Sequence, residues 1–122
     1  MRVLLVDDDD SYARAVTRWL VTAGCEVVYA ANGQEALEIL REAPVDSILT
    51  DLFMPEKEGL ETITEARMTR PGVRIVAMSG GGSLGDGRTL LTVARALGAS
   101  ATLQKPFSRQ QLLAALELPA NG

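Results

Sequence analysis

Residues 2–11 read Arg2-Val3-Leu4-Leu5-Val6-Asp7-Asp8-Asp9-Asp10-Ser11. Four consecutive aliphatic residues without polar alternation suit a strand covered on both faces, as in a parallel sheet. Four aspartates then close the run. A strand buried on both sides and ending in carboxylates is the feature from which the rest of the chain can be read.

Working outward, four more short runs rich in Val, Ile and Leu predict strands at Glu26–Ala30, Ser47–Thr50, Arg74–Met78 and Ala101–Leu103. Longer stretches with helical spacing lie between them. In Tyr12–Ala23, Ala13, Val16 and Leu20 share a face opposite Arg14 and Arg18, and Gly24 is a stop signal. Gln34–Glu42, Leu60–Arg70 before Pro71-Gly72, and Thr89–Leu97 before Gly98 read likewise. Arg109–Leu118 follows Ser108 as candidate N-cap. Five βα units in succession predict an open α/β sheet, all parallel, with right-handed crossovers.

The 122 residues fit one domain, large enough to bury a core without disulfide or structural metal. A net charge of −4 argues against non-specific nucleic-acid binding. One cysteine, Cys25, and no histidine exclude the zinc-site spacings and leave carboxylates as the ligand set, which favours hard cations. No run approaches the roughly 18 apolar residues a membrane helix needs. The apolar run at the N-terminus is too short for a signal peptide, so a cytoplasmic protein is expected.

In open α/β sheets ligands sit beyond the carboxyl ends of the strands, at the point where strand order switches. If the strand order is 2-1-3-4-5, strands one and three are neighbours at the switch point, and Asp7 and Asp8, Asp51, Ser79 and Lys105 converge on one edge. Two carboxylates about 4 Å apart repel by roughly 4 kcal/mol at an effective dielectric near 20. A divalent cation relieves that repulsion and can also hold a phosphoryl oxygen. Ser79 can donate to a second such oxygen, Lys105 can neutralise a third, and Asp51 is a plausible nucleophile.

The set Val6-Asp7-Asp8-Asp9, then Asp51-Leu52-Phe53-Met54-Pro55 with Gly59, then Ser79-Gly80, then Lys105-Pro106-Phe107, resembles the receiver (CheY-like) domain of two-component response regulators. The resemblance covers essentially the whole chain. It implies a flavodoxin-like doubly wound (βα)5 fold, with a receiver domain at 1–118 and a frayed tail at 119–122. It implies that Asp51 is the phosphoacceptor, assisted by Ser79 and Lys105. Mg²⁺ would be held by Asp8, Asp51 and the backbone carbonyl of Phe53, with Asp7 acting mainly through a metal-bound water. A sensor histidine kinase or a histidine phosphotransfer protein would be the donor. The expected role is a stand-alone signalling switch rather than an enzyme, with output through contact with a downstream protein or onward phosphotransfer. The Lys105–Pro106 bond is expected to be cis. Thr102 stands where many members carry an aromatic switch residue. Phe53 can neither orient water nor act as base, and Gly81 supplies no polar group, so slow hydrolysis of the aspartyl phosphate is expected.

Plainer readings compete at several positions. Asp9 and Asp10, with Ser11, fit helix capping better than ligation. Trp19 is read as a packing residue and Cys25 as a small strand-edge residue rather than a reactive thiol. Gly80, Gly82 and Gly85 spell a dinucleotide-binding fingerprint, but in the fourth βα turn rather than the first, so a mobile loop over Gly80–Gly87 is the preferred reading. A haloacid-dehalogenase-type hydrolase would need an acidic residue where Phe53 stands. An adaptor that is never phosphorylated would leave the whole polar set unused.

Overall fold

A computed structural model describes residues 1–52, 59–80 and 87–118, with residues 87–91 as backbone. Five strands alternate with five helices: β1 Arg2–Val6, α1 Asp10–Thr22, β2 Glu26–Ala30, α2 Gly33–Glu42, β3 Ser47–Asp51, α3 Gly59–Thr69, β4 Arg74–Gly80, α4 Gly87–Ala96, β5 Ala101–Lys105 and α5 Arg109–Ala115. All pairings are parallel and the order is β2-β1-β3-β4-β5, the doubly wound arrangement expected from the sequence.

Alternation along the strands sends side chains to two cores. Leu4, Val6, Ile48, Ile75 and Ala77 pack with α2, α3 and α4 through residues such as Leu37, Leu40, Ile63 and Ala94. Val3, Leu5, Leu49, Val76 and Met78 pack with α1 and α5 through Val16, Leu20, Leu112 and Leu116. The central strands are therefore apolar on both faces, which is why they lack polar alternation. Cys25 is buried in the second core, and burial lifts its thiol above the ordinary 9.0, as suits a packing residue. Trp19 lies half-buried against the same core.

The strands run further than the apolar pattern suggests. β3 takes in Asp51, β4 takes in Ser79 and Gly80, and β5 takes in Gln104 and Lys105, because the ladder continues through Asp51↔Met78 and Gly80↔Lys105. Backbone pairing is indifferent to side-chain polarity, whereas the sequence pattern is not.

Helix ends follow local chemistry. Asp9 caps α1, its carboxylate accepting the Tyr12 N–H at 3.1 Å, with Asp10 in the first turn. Ser108 and Gln111 form a capping box on α5. Gly24 and Gly98 take positive φ after α1 and α4, and the next residues close back onto Leu20 and Ala94. The same closure after α5 falls on Glu117, at φ 59°, and α5 stops at Ala115 rather than Leu118. Three arginines from the α3–β4 corner reach helix ends on the side of the sheet away from the aspartates. Arg70 donates to the Leu40 carbonyl at 3.1 Å and Arg74 to that of Ala115 at 2.8 Å. Arg67 donates to the carbonyls of Pro71, Val73 and Gly98.

Candidate functional site

The carboxyl ends of β1, β3, β4 and β5 meet at one edge of the sheet. Asp7 continues β1, its N–H donating to the Ala30 carbonyl at 3.2 Å. Its side chain is fully buried and doubly bonded. One oxygen accepts the Asp9 N–H at 2.9 Å, the other accepts Lys105 Nζ at 3.0 Å. Asp51 ends β3 and is 6% exposed, and its Oδ2 accepts the same Lys105 ammonium at 3.1 Å. Asp8, one residue on, faces solvent. Ligand oxygens of Asp7, Asp8 and Asp51 lie within 4.8 Å of one another.

Lys105 is the electrostatic pivot. Its side chain is 15% exposed. Burial works against its charge, but the fields of Asp51 and Asp7 and their hydrogen bonds outweigh that cost and hold the ammonium above its ordinary 10.5. The Lys105–Pro106 bond is cis, as expected from the sequence.

Ser79 is fully buried in β4, one position beyond Asp51's partner Met78, and its hydroxyl donates to the Gly80 carbonyl at 3.3 Å. The structure thus brings Asp7, Asp8, Asp51 and Lys105 into one group and sets Ser79 at the adjoining strand end. Phe53, with its carbonyl, lies outside the described residues, and so do residues 81–86 of the glycine-rich loop. Thr102 sits on β5 opposite Ala77, half-buried.

Sequence reasoning missed several neighbours. Both tyrosines of the chain touch the site. Tyr29 donates its hydroxyl to the Asp7 carbonyl at 2.5 Å. Tyr12 lies under Lys105, whose Nζ is 4.3 Å from the ring centroid. Burial raises the Tyr12 phenol above its ordinary 10.0, against the opposing field of Lys105. Phe107 meets the Tyr12 ring edge-on at 5.7 Å. A signal was present in an aromatic placed in the first turn of the helix that follows the acidic strand end. Gly59 was read only as part of a motif. In the fold a Cβ there would stand 2.4 Å from the Asp51 carbonyl oxygen and from Leu52 Cα.

Three carboxylates with converging oxygens, one of them open to solvent, form a hard oxygen donor set of the kind that suits Mg²⁺ or Ca²⁺. The buried ammonium between two of them partly neutralises the group.

The family model of the response regulator receiver domain matches residues 3–117, and the chain belongs to that family. Its fold is similar to that of a CheY-like receiver domain protein from Methanospirillum hungatei, with a TM-score of 0.85, 29% identity and coverage of 95% of this chain and 90% of that one. It is also similar to a Burkholderia pseudomallei response regulator solved with a phosphorylated aspartic acid, a calcium ion and citrate. There the TM-score is 0.84, the identity 29%, and the coverage 98% of this chain and 68% of that one. In sequence it is 38% identical over 112 residues to the sensor kinase CckA of Brucella abortus, covering 90% of this chain and 11% of that protein. The chain spans between 11% and 45% of the length of several curated relatives that it matches. No described helix is long and apolar enough to cross a membrane.

Proposed function

We propose that this receiver domain, residues 1–118, accepts a phosphoryl group on Asp51 with the help of Mg²⁺ and works as a switch in the cytoplasm. The observation that carries the reading is the Lys105 ammonium shared between buried Asp7 and Asp51, beside a third carboxylate within 4.8 Å. Such a group is costly to keep without a function that uses it.

In the forward step an Asp51 oxygen attacks phosphorus. The bond from phosphorus to the donor's imidazole nitrogen breaks, and the imidazole leaves. Asp51 becomes an acyl phosphate and the donor histidine regains a proton from solvent. In the reverse branch water attacks phosphorus, the phosphorus–oxygen bond breaks, and Asp51 returns as carboxylate with inorganic phosphate. Asp7, Asp8 and Asp51 would hold Mg²⁺, with the Phe53 carbonyl as a further ligand, and the ion would supply charge neutralisation at the transferring oxygens. Lys105 is placed to follow the negative charge from the Asp51 carboxylate to a phosphoryl oxygen. Ser79 must turn its hydroxyl from the Gly80 carbonyl to donate to another. That exchange links the phosphoryl group to the backbone leaving β4.

The partners that fit are a sensor histidine kinase or a histidine phosphotransfer protein as donor, and a downstream protein that reads the changed surface or takes the phosphoryl group onward. The Burkholderia pseudomallei relative with its phosphorylated aspartic acid and calcium ion supports the same chemistry here. The test is incubation with acetyl phosphate, with and without Mg²⁺, followed by intact mass. One phosphoryl group should add in a metal-dependent manner to wild type and none to Asp51→Asn or Asp51→Ala. Undiminished incorporation in both variants would overturn the assignment.

A further inference from the structure

We infer that Tyr12 is a positioning residue for phosphoryl transfer, its ring face seating the Lys105 ammonium at the height of Asp7 and Asp51. The inference rests on the phosphoacceptor reading above and adds to it a residue outside the acidic and basic set.

Three contacts fix Lys105 Nζ: Asp7 Oδ2 at 3.0 Å, Asp51 Oδ2 at 3.1 Å and the Tyr12 ring at 4.3 Å from its centroid. An ammonium has three hydrogens and needs a favourable environment for each when its chain is buried. Two go to carboxylates, and the negative face of an aromatic ring serves on the remaining side. Leucine or methionine at this position would fill space without offering that face.

The ring is itself held. Its backbone N–H is bound by the capping carboxylate of Asp9, in the same turn that carries Asp7 and Asp8. Its edge meets Phe107 at 5.7 Å with an interplanar angle of 79°. Phe107 is 6% exposed, lies two residues beyond Lys105 and is backed by Trp19 at 6.5 Å. The aromatic set therefore joins the start of α1 to the end of β5, the two segments whose charges must meet. A lysine stem has four rotatable bonds, and a seat that does not depend on the carboxylates matters most when these are engaged elsewhere. When Asp7 and Asp51 turn to metal and phosphoryl group, the ring is the contact that stays in place. It keeps the ammonium close to where a phosphoryl oxygen arrives.

The chain has only two lysines, Lys57 and Lys105, so lysine-selective ¹³C,¹⁵N labelling resolves the group directly. In wild type, with and without Mg²⁺, the Lys105 ε-methylene should resonate upfield of Lys57 through the ring current. The shift should persist in Tyr12→Phe and collapse in Tyr12→Leu and Tyr12→Met. The acetyl phosphate labelling rate should fall roughly two- to thirtyfold in Tyr12→Leu and Tyr12→Met, the span set by ammonium–ring contacts from exposed to desolvated, and recover in Tyr12→Phe. A wild-type Lys105 signal without the upfield shift overturns the seating, even if no variant folds. A folded Tyr12→Met or Tyr12→Leu labelled as fast as wild type overturns the positioning role, and so does a Tyr12→Phe no faster than Tyr12→Leu. If wild type shows the shift but takes no phosphoryl group, the phosphoacceptor reading fails while the seating stands.

Discussion

Replacing Gly59 with alanine should cost stability and loosen the site together, although alanine is ordinarily the better helix residue. A glycine-to-alanine change inside a helix normally gains about 0.5–1 kcal/mol. Here the added Cβ would stand 2.4 Å from the Asp51 carbonyl oxygen and 2.4 Å from Leu52 Cα, roughly 1 Å inside ordinary contact. Both atoms belong to backbone. β3 cannot retreat, because it is paired on one side with β1 and on the other with β4. The start of α3 must therefore move, stretching the Gly59 N–H bond to the Leu52 carbonyl, now 3.2 Å. Overpacking of this kind costs about 1–3 kcal/mol. At about 3–6 °C per kcal/mol for a domain of this size, the melting temperature should fall by about 3–18 °C. Gly72→Ala is the control: nothing lies within 4 Å of its Cβ position, so its stability should change by under about 1 kcal/mol. Urea unfolding of both variants, with Mg²⁺ binding by calorimetry, checks the argument. A Gly59→Ala protein as stable as wild type, with unchanged metal affinity, would refute it.

Three further outcomes are expected. Arg67→Lys exchanges a fork that reaches the carbonyls of Pro71, Val73 and Gly98 for a single ammonium, and should lower stability by about 1–3 kcal/mol in urea titration. Glu117→Gly relieves a left-handed residue at φ 59° and gives up only a surface ion pair with Arg74, so stability should rise by about 0.5–1 kcal/mol, whereas Glu117→Ala should show no gain. Lys105 is held above 10.5 by Asp51 and Asp7 against the cost of burial, and burial raises Tyr12 and Tyr29 above 10.0 and Cys25 above 9.0. A raised folded value means stability that is complete below the unfolded value and lost as pH climbs through the folded one. Urea midpoints of the metal-free protein should therefore decline from about pH 9 upward, and a flat profile to about pH 11 would contradict the shifts.

The sheet was legible because the central strands, covered on both faces, are apolar through most of their length, and because five short runs rich in Val, Ile and Leu occur at βα spacing. The strand order came with the resemblance to the receiver family. The acidic edge was legible because polar residues at the ends of buried strands have few structural uses. The strand ends were less so. Asp51, Ser79 and Lys105 interrupt the apolar pattern, while the ladder continues through their backbones. Similarly, the end of α4 was signalled by Gly98, but that of α5 was hidden, because Glu117 adopts there a conformation that usually selects glycine. Tyr12 and Lys105 are distant in sequence, and their contact arises only when the α1 start and the β5 end are brought together. Periodicity speaks of which face a residue occupies and says nothing of which distant residue shares it.

On the proposed reading, the charge count at the site lets the same residues serve before and after phosphorylation. Taken as ionised, three carboxylates and one ammonium leave two units of negative charge, which one divalent cation balances. Before a cation arrives, Lys105 holds Asp7 and Asp51 together and limits their repulsion. On the proposed reading, phosphorylation changes Asp51 from a single negative charge to a group of about −1.5 to −2. The cation and Lys105 then share a larger load at nearly the same place. Their attraction to the phosphoryl oxygens, rather than to the aspartate carboxylates, is what would alter the neighbouring strand ends. On that reading the driving force for the switch would be a redistribution of the cation and the Lys105 ammonium among close oxygens. That is why the ammonium's seat on Tyr12, fixed by neither carboxylate, bears on how readily it moves.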